Sequence, residues 1–335
     1  MGETARAVTY AYDAHGNRTR VTHPDGNYFD YQYEATDNLT WIRENGSAEL
    51  IENFFDDFGR RRQIERNANA GSVTTFTPDN ISRLALIKQN LDGNASTYDV
   101  DIGFEYNPAS QVTKRSQNNS LYDYQIPVVN QVYTSNGRNQ YSQITGTAGG
   151  TPAYDLNGNM TSDGQATPTN YVYDAENRLV SASGAKTATL TYDPMGRLYQ
   201  VSDAAGPQRF LYDGDRLILE YNGSGVVQRR YAHGAGVDEL LVWYEGSTVS
   251  SANRRYLHAD HQGSIINVTN AAGATLLVGA YDAYGVTTSN VGRFQYTGQT
   301  AITQVGLYYY KARRRPPTFS SSEVESRRAI RPRNQ

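Results

Sequence analysis

The 335-residue sequence contains no cysteine, four lysines, three methionines and no long uninterrupted apolar stretch. Without cysteine there are no disulfides, thiolate zinc sites, iron–sulfur clusters or sulfur nucleophiles. Without an apolar run of ~18 residues, no helix of this sequence spans a bilayer. The opening MGETARAVTYAYD lacks a basic segment followed by an apolar one, so no secretory signal is read there. Charge of one sign is also missing: 31 Lys and Arg stand against 34 Asp and Glu, net −3. That balance gives no ground for a nucleic-acid partner. Nucleophile-elbow, P-loop and dinucleotide motifs are absent, and Gly234-Ala-Gly236 stands alone with no helical run behind it. No catalytic residue, metal or cofactor is expected.

Aromatic and turn residues are plentiful. There are 27 Tyr, nine Phe and 30 Gly, while hydrophobic residues make up only 38% of the chain. Disordered chains are poor in aromatics, and helical ones are rich in Leu, Ala, Glu and Lys. Tyr, Val and Thr favour pleated strands, and Gly, Asn and Asp favour the turns between them. The composition predicts an all-β protein.

An internal period gives that class an architecture. An aromatic residue is followed by Asp, two variable residues, Gly or Asn, and then Asn or Arg. Clear copies are Tyr12-Asp13 with Gly16, Tyr154-Asp155 with Gly158, Tyr173-Asp174 with Asn177-Arg178, and Tyr192-Asp193 with Gly196. Near copies are Phe55-Asp56 with Gly59, Tyr133-Thr134 with Gly137-Arg138, and the shortened Tyr212-Asp213-Gly-Asp-Arg216; degraded copies start at Tyr33, Phe76 and Tyr231. Aromatics two apart, such as Tyr10 and Tyr12, share one face of a strand. Asp then caps a reversal, and Gly or Asn supplies a positive φ. Each unit of about 20 residues reads as an antiparallel hairpin, and the chain as a long meander whose hairpins must pack side by side to bury their aromatics. Residues 85–132 fit the period poorly and are read as degenerate hairpins, with turns at Asp92-Gly93-Asn94 and Tyr106-Asn107-Pro108. At two strands per repeat, about 310 residues give about 31 strands; at ~4.8 Å each they make an open ribbon with exposed edges and a partly bare aromatic face. Gly196 is expected to resist substitution far more than Gly246, which lies outside any clear copy.

Three clusters invite a chemical reading. His258-Ala-Asp260-His261 holds metal-ligand residue types, but on a strand 258 and 260 share a face that 261 does not, and His233 is the one other histidine of the second half. A structural role is expected. Asp155-Leu-Asn157-Gly158-Asn159 begins like a calcium loop but lacks its later Gly and acid, so a turn is expected. The segment from Lys311 to Gln335, with eight Lys or Arg and two Glu, is expected to be a solvated basic tail. Rows of Tyr suit either a core or a surface that stacks on sugar rings; the core reading is preferred.

These units resemble YD repeats, and the second half resembles the RHS repeat-associated core. The resemblance is carried by the Tyr212–Ile218 segment, by Tyr256-Leu-His258-Ala-Asp260-His261-Gln-Gly263-Ser, and by Tyr281-Asp282-Ala-Tyr-Gly285. It continues through Gly292-Arg-Phe-Gln-Tyr296-Thr-Gly298 and Gly306-Leu-Tyr308-Tyr-Tyr-Lys-Ala-Arg313, and covers nearly all of the chain up to Arg313. The family includes bacterial polymorphic toxins, the C component of toxin complexes and the teneurins. It implies a hollow β-shell, in bacterial members around a C-terminal toxin, with a secreted or cell-surface location. Implied partners are further shell repeats and toxin cargo; the alternative is a Tyr-rich module binding carbohydrate or another cell. The expected organisation is a partly degenerate repeat array over 1–132, repeats and core over 133–313, and a non-family tail over 314–335. The family's Asp-Pro-x-Gly self-cleavage segment has no counterpart after Arg313, and the chain opens mid-repeat, so a copy truncated at both ends without self-cleavage is expected.

Overall fold

The computed structural model describes residues 6–67, 71–91, 97–125, 130–146, 149–287, 289–311 and 313–315. The anticipated turn at Asp92-Gly93-Asn94 and the tail after Arg315 lie outside these residues. Within each sheet the strands follow one another in sequence order, each antiparallel to the last. Ten of them, from Thr9–Tyr12 to Val112–Gln117, form one sheet; thirteen, from Ala153–Tyr154 to Thr275–Val278, form a second. A hairpin of Gln131–Ser135 and Tyr141–Gly146 lies between them in sequence, and Thr300–Ile302, Leu307–Tyr310 and Arg313–Arg315 make a small third sheet. Helical structure among the described residues amounts to two three-residue 3-10 turns, Ser120–Tyr122 and Tyr296–Gly298. The protein is all-β. The poorly fitting stretch continues the first sheet through Leu84–Asn90, Val100–Tyr106 and Val112–Gln117.

A bulge recurs where each repeat enters its turn. Register shifts fall between Ala11 and Tyr12, Gln32 and Tyr33, Phe54 and Phe55, Val172 and Tyr173, and Thr191 and Tyr192. The same shift lies between Thr77 and Pro78 and between Thr134 and Ser135. Two frames therefore need correction: those copies start at Pro78 and Ser135, two residues after the anticipated Phe76 and Tyr133. At both sites the aromatic belongs to the alternating strand pattern, and the turn itself begins at Asp79 and Asn136.

The sheets do not lie as one open ribbon. The first sheet's inward side chains, among them Val21, Phe29, Ile42, Leu50 and Ile64, share a core with Ala232, Val242, Tyr244 and Tyr256 of the second sheet. The opposite face of the second sheet packs Leu190, Leu198, Val201, Trp243 and Val268 against Val291, Phe294, Ile302, Leu307 and Tyr309. Strand Leu240–Glu245 is consequently buried on both faces up to Tyr244, with Leu240 and Trp243 on one side and Val242 and Tyr244 on the other. Three layers result, and the aromatic face expected to be partly bare is covered along these central strands. A meander long enough to fold back on itself removes more apolar surface from water than an extended one.

Candidate functional site

The repeat owes its sequence to one turn. In Asp193–Arg197 the Asp193 N–H donates to the Arg197 carbonyl at 2.9 Å, and the Gly196 N–H donates back to the Asp193 carbonyl at 2.9 Å. The Asp193 Oδ1 accepts from the N–H groups of Met195 and Arg197 at 3.0 and 2.9 Å, while its Oδ2 pairs with Arg197 Nε at 2.7 Å. Asp13, Asp56, Asp155 and Asp174 are placed identically. Hydrogen bonding from Arg60 holds the Asp56 carboxyl below the ordinary aspartate range, and bonding from Asn159 does the same at Asp155. These carboxylates are acceptors for backbone donors that would otherwise be unsatisfied, which leaves the calcium-loop likeness at Asp155 as a turn.

The aromatic residue serves the neighbouring repeat. Tyr192 donates its hydroxyl to the Leu179 carbonyl at 2.8 Å, Tyr212 to Leu198 at 2.9 Å and Tyr106 to Leu84 at 2.7 Å. The arginine of the preceding turn lies over the same ring: Arg178 is 4.9 Å from the Tyr192 centroid and Arg197 is 5.2 Å from that of Tyr212. Arg83 lies likewise 4.5 Å from the Tyr106 centroid, so each of these three units clamps the next with a hydrogen bond and a cation–π contact. This explains why Tyr outnumbers Phe. It also turns most repeat tyrosines inward, although Tyr12 remains exposed.

Asp213 departs from the expected role. Its hairpin closes through a two-residue loop between Asp213 and Arg216, so no cap is needed. The carboxylate instead crosses to the first sheet, accepting from Tyr10 Oη at 3.0 Å and pairing with Arg18. Asn222 and Asn270 cap turns that the sequence pattern does not mark, and Asn107 and Asn136 are the caps of turns that it does; the amide oxygen of each accepts the same two N–H groups. The repeat pattern places Asp at the cap, and here Asn takes that place, behind an aromatic at Tyr106 and Tyr221 and behind Ser135 and Thr269 at the other two.

The core-motif residues gather around the second and third sheets. His258 is fully buried, with Nε2 3.1 Å from Ser72 Oγ and 3.2 Å from Thr269 Oγ1; burial, aided by the Arg66 charge, keeps its pKa far below the ordinary value. Asp260 lies beyond the strand end at Ala259 and caps the turn closed by Gly263, accepting from Gln262 and Ser264 at 2.8 and 2.9 Å. The expected strand alternation therefore stops before 260. His261 packs against Phe104, with centroids 4.8 Å apart. No group of three or more His, Cys, Asp or Glu able to hold a metal occurs among the described residues.

Tyr281 donates to the Ile265 carbonyl at 2.9 Å, and Asp282 caps the turn that ends at Gly285. Gly285 has φ +85°, and a Cβ there would lie 2.5 Å from the Tyr296 ring, so this position excludes side chains. Tyr296 donates to the Ala283 carbonyl and Tyr308 to that of Gly285. The N–H groups of Gly298 and Gly306 close turns onto Gln295 and Ile302. Arg313 pairs through its backbone with Tyr310.

Buried ion pairs fasten the layers, and nothing in the linear sequence signals them. Glu220 has no exposed surface; it accepts from Arg293 Nε at 2.9 Å, Arg293 Nη2 at 3.1 Å, Gln208 Nε2 at 2.8 Å and the Tyr231 hydroxyl. Burial pushes its pKa up, but the Arg293 charge and hydrogen bonds, helped by Arg229, leave it below the ordinary glutamate value. A carboxylate so fully supplied with donors is an anchor, with no lone pair left for proton transfer. Arg293 also donates to the Ala301 carbonyl within the C-terminal layer, and its pairing with Glu220 ties that layer to the central strands. On the opposite face Arg254 meets Glu44 at 2.6 Å beside Tyr244, and Arg230 meets Asp25 beside His23.

Comparison with known proteins agrees with this architecture. The family model described as RHS Repeat matches residues 3–28 and 12–46. The tRNA nuclease WapA of Bacillus subtilis strain 168 is 25% identical over 349 residues, which cover 93% of this chain and 13% of that protein. The double-stranded DNA deaminase toxin A of Burkholderia cenocepacia is 26% identical over 193 residues, 47% of this chain and 14% of that one. Among solved structures, TcdB2-TccC3-TEV superposes with a TM-score of 0.63 at 16% identity, covering 93% of this chain and 20% of its own. The Tc holotoxin pore of Photorhabdus luminescens gives 0.52 at 18% identity, covering 92% and 19%. The chain thus spans a small fraction of each relative's length.

Proposed function

The chain is an RHS/YD-repeat protein, and on that premise we propose that it is a section of wall in a hollow β-shell that encloses and delivers a toxin, with no catalytic residue of its own. The observation that carries the reading is the repeated clamp. At Asp79, Asp174 and Asp193 the carboxylate caps the turn, the Arg that follows lies over the next aromatic, and that ring's hydroxyl closes on the previous carbonyl, a scheme that one hairpin can hand to the next. The likeness of fold to the TccC3 fusion over 93% of the chain supports it. So does the saturation of the buried carboxylates, which serve as fasteners. The reading places the protein outside the cell or on its surface; no helix among the described residues is long and apolar enough to cross a membrane.

Protease protection tests this. The gene product is purified from its host, digested with trypsin, and its surviving fragments are identified by mass spectrometry within intact particles. The expected result is the repeat wall together with a second, protected polypeptide that becomes cleavable once urea opens the particle. Survival of the wall with no protected companion would replace encapsulation by a scaffold without cargo.

A further inference from the structure

The two ends of the strands are not alike. In the first sheet the turns capped at Asp13, Asp56, Asp79 and Asn107 all close one end, because every second connection of an antiparallel meander returns to the same side. In the second sheet the turns at Asp155, Asp174, Asp193 and Asp260, with the loop at 234–239, do the same. These two ends lie together: Arg61 pairs with Glu239, and Phe104 packs on His261. Among the described residues the five most exposed large apolar side chains all sit on this end. They are Phe58, Ile81, Leu156, Met195 and Val237, each 65–96% exposed. The turn itself does not ask for them, since the first four occupy the variable positions behind a cap.

The tips are already furnished for an apolar setting. The N–H groups of Phe58, Ile81 and Met195 are taken up by Asp56, Asp79 and Asp193 at 3.0–3.1 Å. Arg60 lies 5.0 Å from the Phe58 ring centroid and donates to Ser82 Oγ at 2.6 Å, which braces the turns of Phe58 and Ile81 against each other. The carboxylates beside the tips are neutralised: Asp56 by Arg60, Asp79 by Arg83, Glu239 by Arg61 and Asp238 by Lys311. Asp57 has no ion pair among the described residues, and Arg62, 3.7 Å from Asp56, balances it.

We propose that this end docks on a lipid bilayer, the five tips passing between the headgroups while the paired ions stay at headgroup level. Neighbouring capped turns of one sheet are two strands apart, about 10 Å at ~4.8 Å per strand, so the tips are separate prongs and make no continuous patch. A stable protein interface needs about 1,000 Å² of continuous, complementary surface, which isolated prongs do not offer. A bilayer takes each prong singly and needs no matching pocket. It does require that backbone donors arrive satisfied, and the caps see to that. The Arg60 stem lies along Phe58 and lets its charged head remain at the surface. Because the charges beside the tips cancel, a zwitterionic surface suits this end as well as an anionic one. None of this depends on the shell reading, and its failure leaves the protease-protection test untouched.

The test is flotation of the full chain with vesicles of phosphatidylcholine, alone and with about a fifth of phosphatidylserine. Binding to both is expected, half complete at ~1 mM lipid or below. Phe58→Asp combined with Ile81→Asp lowers the partition constant at least about tenfold, or ~1.4 kcal/mol. Val132→Asp, at an exposed apolar position outside these turns, leaves it unchanged. Urea midpoints equal to that of the parent show that the tip variants are folded. Phe58→Trp shifts its emission to the blue when phosphatidylcholine vesicles are added. Absence of flotation with both vesicles, flotation that the tip variants leave intact, or a Phe58→Trp emission that does not move overturns the proposal. Binding seen only with phosphatidylserine overturns it too, since the contact is then one of charge. So does a rise in mass of the lipid-free chain that the tip variants alone abolish, which would make the tips a contact between proteins.

Discussion

At the residue scale the cap decides the turn. Asp193→Ala strips the N–H groups of Met195 and Arg197 of their acceptor and is expected to cost about 1–2 kcal/mol, as loss of a helix cap does. Asp193→Asn keeps both bonds, as Asn107 and Asn222 do in their turns, and loses only the partly exposed pairing with Arg197, within about 0.5 kcal/mol. Urea midpoints of the two variants check this; equal losses would mean the ion pair, and not the backbone, is what the carboxylate serves. The glycines require a revision. Gly196 has φ +81° and Gly246 has φ +80°, and neither is crowded by backbone, so Gly246 is not the innocuous position its sequence context suggested. Gly196→Val and Gly246→Val are now expected to destabilise alike, each by about 1 kcal/mol or more, because a β-branched residue is strained at positive φ. Gly137, not in that region and with open space around it, is the proper control. Fluorescence-monitored urea unfolding of the three variants decides.

At the scale of the strand and turn, the period of about 20 residues was legible because each repeat must supply the same cap, the same positive-φ residue and the same clamp to its neighbour. It misled where two of these separated. Around Phe76 and Tyr133 the aromatic keeps its strand position while the cap sits at Asp79 and Asn136. It was silent wherever partners lie far apart: Glu220 and Arg293 are 73 residues from each other, and no local pattern joins them. The central strands were equally hidden, because burial on both faces comes from layers that a hairpin period does not describe. These strands should exchange their amide hydrogens most slowly, and Thr9–Tyr12 and Val112–Gln117, exposed at the sheet edges, fastest. Arg293→Met leaves Glu220 short of its main donor and should loosen residues 291–310 selectively, a loss of about 3–5 kcal/mol for that layer. Hydrogen exchange followed by mass spectrometry tests both statements, and uniform acceleration across all three layers would contradict the assigned fastener.

At the scale of the whole molecule, the layers are sensitive to acid. His233 is buried with Nε2 2.8 Å from the Leu217 carbonyl, and burial lowers its pKa from 6.5 to about 4; His23, buried beside Arg230, falls to about 3. A histidine whose folded pKa is depressed gives its full stability above the unfolded value near 6.5 and loses it as pH falls towards the folded one. Stability should therefore decline from about pH 6.5 downward, with His233 contributing a loss of about 3 kcal/mol by pH 4. Glu220 and Asp25, both held low, add to the loss below their ordinary values. His233→Gln, which can still donate to Leu217, should flatten the slope between pH 6.5 and 4 in thermal melts; an unchanged slope would remove His233 from the account. The sheet edges set the second property of the whole. With the aromatic face covered, association depends on unpaired strands, and the two edges of the first sheet differ. Val112–Gln117 carries Lys114 and Arg115, charges that discourage edge-to-edge pairing, whereas Thr9-Tyr10-Ala11-Tyr12 is exposed throughout and uncharged. The isolated chain is expected to self-associate through that uncharged edge. Ala11→Glu places a carboxylate opposite Arg20, which spares the native pairing and charges the edge. Size-exclusion chromatography with light scattering should show a concentration-dependent rise in mass for the parent chain that is suppressed in Ala11→Glu and persists in Val112→Glu; a parent chain monomeric at every concentration would mean the edge is already protected in a way its exposure does not reveal.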